Sequence, residues 1–159
     1  MEERLAVAEA ALRAGRGVDA IEPLISLLTD QPAQAAAVYR ALLFQLFSAG
    51  RHAEGERWSA LAAQKFPRYM DVWNLRGVML RNLGRQGEAL EALDQAARLA
   101  PGNPSPQFNM GNVLMDSKSF AKAEAVFTKL ARKDPRNAEY QRQIGRALKG
   151  QGKREAALV

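Results

Sequence analysis

One histidine, His52, and no cysteine limit what this chain could do chemically. Thiolate chemistry, disulfides and zinc–sulfur sites are excluded, and an imidazole base would have to come from a single position. His52 follows Arg51 at the start of a helix-sized segment, where a surface or packing role is the expected one. The acids Glu88, Glu91 and Asp94 recur every three residues, which lines them along one helix face rather than converging them in a pocket. They read as a solvated face carrying arginine pairs. Two glycine-rich stretches, Gly84-Arg85-Gln86-Gly87 and Ala14-Gly15-Arg16-Gly17, lack the Lys-Ser/Thr ending of a phosphate loop and connect helix to helix rather than strand to helix. They are turns. No catalytic set, metal site or cofactor site is expected, and the chain is not expected to be an enzyme. Arg142, Arg146 and Lys149, at intervals of four and three, do place three positive charges on one helix face.

The elements that position these residues follow from composition. Alanine, leucine and arginine dominate and long β-branched runs are absent, so an all-α fold is expected. The net charge of +6 could steer the chain to acidic partners, nucleic acid or an anionic membrane surface, but spread over helix faces it serves mainly solubility. Interleaved aromatics and clustered base-reading side chains are missing, so no nucleic-acid partner is expected. The amino terminus, MEERLAVAEAALRAG, has no apolar run fit for a signal peptide or a membrane span, and a cytoplasmic location is the default expectation.

A periodicity organises the whole chain. Pro32, Pro67, Pro101 and Pro135 are spaced by 35, 34 and 34 residues, and Gly15, Gly50, Gly84 and Gly152 keep the same grid, with Lys118 where a glycine is due. Within a unit, Trp73, Gly77 and Leu80 share one face of a first helix, a glycine ends it, and Ala89, Leu93 and Ala96 mark the inner face of a second helix that stops at the Pro101 segment. Met110, Gly111 and Leu114, then Ala123, Phe127 and Leu130, repeat the pattern. First helices are predicted near 2–14, 35–49, 70–83, 104–117 and 138–150. Second helices are predicted near 18–30, 52–65, 86–99 and 120–133, with a stub near 153–159.

These residues resemble the tetratricopeptide repeat family, most strongly through WNLRGVML, GRQGEALEAL, FNMGNVLM and FAKAEAVF. The resemblance runs over the whole chain as one array, with repeats at about 1–34, 36–69, 70–103 and 104–137 and a partial fifth at 138–159. Leu43 and Gly55 depart from the small Gly and Ala usual at their positions. The resemblance implies a right-handed α-solenoid of stacked antiparallel hairpins, with first helices lining a concave side. It also implies a protein-protein interaction scaffold that holds a partner segment in that groove.

On that frame the groove receives Arg40, Phe44 and Phe47, then Asn74, Val78 and Arg81, then Phe108, Asn112 and Met115, then Arg142, Arg146 and Lys149. Such a surface suits a protein or peptide segment with apolar anchors and an acidic end. The lysine, asparagine and arginine set with which some members clamp a chaperone carboxylate is not present in any frame. Asn109, in Asn109-Met110-Gly111-Asn112-Val113-Leu114, is similar to a groove asparagine of O-linked N-acetylglucosamine transferases. It carries an alternative expectation, that the array recruits substrates for a larger glycosyltransferase- or sulfotransferase-type enzyme. Residues 138–159 open a unit without completing its second helix. The chain is therefore expected to be part of a longer protein, with Ile144 and Leu148 poorly covered and self-association possible through the open end. Lys118 is expected at positive φ, and Arg76, where the family places an apolar residue, is expected to pack its stem and find an acidic neighbour.

Overall fold

The computed structural model describes residues 2–152. The predicted stub at 153–159 lies outside them. Among the described residues the regular structure is helical: α1 (Glu3–Arg13), α2 (Ile21–Asp30), α3 (Ala36–Ser48), α4 (His52–Lys65), α5 (Met70–Asn82), α6 (Gln86–Leu99), α7 (Ser105–Asp116), α8 (Phe120–Lys133) and α9 (Ala138–Gly150). A 3₁₀ turn, Gly17–Ala20, precedes α2. This turn occupies the predicted start of the second helix at residue 18. Pro23 has no N–H to give to residue 19, so the α ladder cannot run back through this stretch and the chain closes it with the tighter bond pattern.

The turns repeat one geometry. Gly15, Gly50, Gly84 and Gly152 all have φ between 72° and 77°, and Lys118 has φ 59°. In each of the four turns between first and second helices the chain closes a six-to-one hydrogen bond, as from Ser119 N–H to the Leu114 carbonyl at 2.8 Å. The aromatics that open two first helices reach back to the proline ending the previous unit: Tyr39 Oη donates to the Pro32 carbonyl at 2.7 Å, and Trp73 Nε1 to the Pro67 carbonyl at 2.9 Å.

Hairpins are closed by small residues. A Cβ on Gly77 would stand 2.4 Å from Leu93 Cγ, and one on Gly111 would stand 2.5 Å from Phe127 Cζ. Leu93 and Phe127, both fully buried, fill the space the glycines leave. Each such side chain contributes about 1.5–3 kcal/mol on burial. Among the described residues the core is a chain of three clusters rather than one centre. The first runs from α1 to α5 around Tyr39 and Leu42; the second joins α5, α6 and α7 through Leu80, Leu93 and Val113; the third joins α7, α8 and α9 around Phe127. Ile144 packs half-buried on the third cluster, and Leu148 is half-buried too.

Among the described residues the first helices α3 and α5, and α5 and α7, touch one another, whereas no consecutive pair of second helices makes comparable contact. The layer with the shorter path between units is the inner one. First helices therefore form the inner layer of the curved array, and second helices spread over the outside.

Candidate functional site

The inner layer is built from residues that the helical period brings into line on α3, α5, α7 and α9. From α3 to α7 its polar side chains are tied to one another across units. Arg40 Nε donates to Asp71 Oδ2 at 2.7 Å; Asn74 Nδ2 donates to Ser105 Oγ at 3.1 Å; Asn109 Nδ2 donates to Asn74 Oδ1 at 3.0 Å; Arg81 Nε donates to Asp116 Oδ2 at 2.5 Å. Arg40, Asn74, Arg81 and Asn109 are thus rungs of a ladder between successive first helices. The acceptors Asp71, Ser105 and Asp116 were not among the residues singled out from the sequence. Their positions relative to the arginines and asparagines, 31 or 35 residues on, are the signal that could have found them.

The apolar residues divide. Phe47 packs half-buried on the first cluster and tilts against His52 at 5.9 Å. Phe108 lies between Phe127 and Tyr140, with ring centroids at 5.7 and 5.9 Å, and Met115 packs on the same cluster. These three belong to the packing between helices. Phe44 does not: it is 48% exposed. Val78 and Asn112 are half-buried, and Asn112 makes no side-chain hydrogen bond among the described residues.

On α9 the three cations differ. Arg142 pairs with Glu139, and Arg146 Nη1 donates to Gln143 Oε1 at 3.2 Å. Lys149 is exposed and in no ion pair among the described residues. Asn137 caps the helix, its Oδ1 accepting from the backbone N–H groups of Glu139 and Tyr140 at 3.0 and 3.3 Å.

The outside carries a different device. Arg51 binds Glu54 through Nε and Nη2, both at 2.7 Å, and reaches Glu22 on α2 at 3.0 Å. Arg85 repeats this 34 residues on, binding Glu88 at 3.2 and 2.6 Å and standing 3.5 Å from Glu56 on α4. The arginine hydrogen bonds hold the Glu54 and Glu88 carboxylates below their ordinary 4.5. Arg76 enters from α5 and joins Glu56: its Nη1 donates to the Glu56 carbonyl at 3.0 Å, to Glu56 Oε1 at 3.2 Å and to Ser59 Oγ at 3.2 Å. Beside it an open cavity of about 460 Å³ lies between α4 and α6, lined by Ala60, Ala63, Trp73, Arg76, Glu91 and Gln95 among others. Glu88 and Glu91 are among its lining residues and His52 is not, and Asp94 pairs with Arg98 at 2.9 Å. No group of three potential metal-ligating side chains occurs among the described residues, and no helix there is long and apolar enough to cross a membrane.

Comparison with known proteins agrees with this geometry. Two family models, each described as tetratricopeptide repeat, match residues 46–104 and 82–157. The chain belongs to the tetratricopeptide repeat family. No curated protein matches the sequence significantly. Among solved structures, the crystal structure of MamA protein is 17% identical with a TM-score of 0.86, over 98% of this chain and 84% of that one. MamA from Desulfovibrio magneticus RS-1 is 15% identical with a TM-score of 0.86, over 98% and 87%. A tetratricopeptide repeat protein from Parabacteroides merdae ATCC 43184 is 17% identical with a TM-score of 0.82; the match covers 98% of this chain and 62% of that one. At these identities the likeness is one of fold.

Proposed function

We propose that this chain is a protein-interaction scaffold that holds a partner segment along its inner layer of first helices. The observation that carries this reading is Phe44, a large apolar side chain 48% exposed in a layer whose neighbouring polar groups already bond one another. An exposed aromatic beside a pre-bonded, ordered polar frame is a ready anchor point, because binding there need not first order the frame. Val78 extends the apolar strip on α5. At the far end Arg142, Arg146 and Lys149 orient an acidic end of the partner and speed its association, with burial at Phe44 supplying affinity. The cytoplasm is the proposed location.

The test uses the partner recovered by pull-down. Phe44→Ala with Val78→Ala should weaken binding about tenfold or more with little salt dependence. Charge reversal at Arg142, Arg146 and Lys149 should slow association chiefly at low salt. Unchanged binding in both variants, with the helical circular dichroism intact, would move recognition off the inner layer.

A further inference from the structure

The fourth hairpin breaks the electrostatic pattern of the array. In three successive turns an arginine pairs with the acid three residues on: Arg16 with Asp19 at 4.0 Å, Arg51 with Glu54 at 2.7 Å and Arg85 with Glu88 at 2.6 Å. The latter two arginines also approach an acid on the preceding second helix, Glu22 and Glu56. At the fourth turn the corresponding residues are Ser119, Lys122 and Leu90. The clasp is gone, and a lysine stands where its acid would be.

Charge is segregated accordingly. Residues 1–50 hold four Lys or Arg against six Asp or Glu, whereas residues 101–150 hold nine against four. Eight arginines from Arg4 to Arg98 are in ion pairs; beyond them, among the described residues, only Arg142 is. Lys118, Lys122, Lys129, Arg132, Lys133 and Arg136 are all exposed and all without an ion pair among the described residues. On α8, Lys122, Lys129, Arg132 and Lys133 fall within an arc of about 100° opposite the core residues Ala123, Phe127 and Leu130. They form a stripe along the outer face, with Ala125 between them and exposed.

We infer that the outer face of α8 is a second docking surface, whose occupant is an acidic helical segment of a protein partner. This goes beyond the inner-layer reading, which concerns other residues on the opposite layer. Like charges held together with no ion pair among the described residues repel one another, the nearby Glu124 being engaged by Gln151, and an anionic partner relieves that repulsion while releasing none of the described ion pairs. The form of the anion follows from the surroundings. Among the described residues the exposed large apolar side chains are Val7, Val18, Phe44, Leu61 and Leu83, all before residue 101, so none of them stands beside the stripe to insert into a bilayer. Of the aromatics on α8 and its flanking turns, Phe120 is half-buried and Phe127 is fully buried, so no platform stacks bases. The stripe is one helix wide, and Lys122, Lys129 and Lys133 stand seven and four residues apart. A helix carrying carboxylates at the same intervals lies alongside it in register, and the small Ala125 leaves room for its backbone.

The experiment uses the full chain, isotope-labelled, and a fluorescent alanine-based helical peptide with glutamates at seven- and four-residue intervals. A glutamine analogue, a short DNA duplex and phosphatidylserine vesicles are run beside it. The expected result is saturable binding of the glutamate peptide, weakened by salt, with amide shifts concentrated on α8. Charge reversal at Lys122, Lys129 and Lys133 should lower affinity about tenfold or more, and neutral glutamine replacements should lower it less. Reversal at Arg142, Arg146 and Lys149 should leave the peptide bound, which separates this surface from the inner one. Shifts confined to α9, equal binding of the glutamine analogue, no saturable binding to the folded chain, or tighter binding of the duplex or the vesicles would each overturn the inference.

Discussion

At the scale of single residues, the structure explains two of the positions that depart from the repeat. Lys118 takes φ 59°, the conformation its glycine counterparts adopt, and a Cβ is strained there. Lys118→Gly should therefore stabilise the fold by about 0.5–1 kcal/mol, the lost strain exceeding the added freedom of the unfolded chain. Urea denaturation checks this, and a lower midpoint would contradict it. Arg76 is the other. Its side chain is 17% exposed and that of Glu56 is 16% exposed, so the pair is largely out of water. Removing one partner strands a desolvated charge, whereas removing both does not. Glu56→Ala should cost about 1–3 kcal/mol, and the double change Glu56→Gln with Arg76→Met should recover most of that loss in the same denaturation assay.

Elements are held together by contacts that tolerate little change. Gly111 faces the Phe127 ring, and the added methyl of Gly111→Ala would stand 2.5 Å from Cζ. Phe127 is fully buried and has no room to retreat, so α7 and α8 must separate. A loss of about 1–3 kcal/mol is expected, against almost none for Gly87→Ala, whose Cβ meets nothing within 4 Å. Thermal melts of both variants compare the two. The clasp between turns adds a pH dependence. The Glu54 and Glu88 carboxylates sit below 4.5 because Arg51 and Arg85 hydrogen-bond their charged forms. Their contribution is fully present above 4.5 and is lost as pH falls through the lowered values. The melting temperature should decline on acidification through this range, and Glu54→Gln combined with Glu88→Gln should make the decline shallower.

The whole molecule behaves as a line of units, each supported by its neighbours. α5 contacts helices on both sides, α3 and α4 before it and α6 and α7 after it, while α1 and α9 have neighbours on one side among the described residues. Stability in such an array is a sum of unit and interface contributions, so opening starts where interfaces are fewest. Native-state hydrogen exchange should find the slowest amides in α4 to α7 and faster exchange in α1. Uniform protection along the chain would show a single cooperative unit instead. Both faces bond polar groups between units, the inner layer from α3 to α7 and the outer layer from α2 to α6.

The sequence by itself determined the architecture. The 34-residue recurrence of proline and glycine specifies turns locally, because few residues adopt those backbone conformations, and the apolar spacing between them specifies which faces meet. Helix ends were legible to within about one residue, save at residues 17–20, where Pro23 converts the helix start to a 3₁₀ turn. Membership of the groove was legible in outline only. Period alone puts Phe108 at the position of Arg40 and Asn74, one unit apart in each step. The tertiary structure decided that Phe108 turns into the packing of α8 and α9, that Asn109 bonds Asn74, and that Arg40 and Arg81 are taken up by Asp71 and Asp116. Helical periodicity reports which side of its own helix a residue occupies. Whether that side chain meets solvent, a ring or a carboxylate depends on distant residues, the rings 19 and 32 positions away and the carboxylates 31 or 35, brought into contact only when the hairpins form and stack.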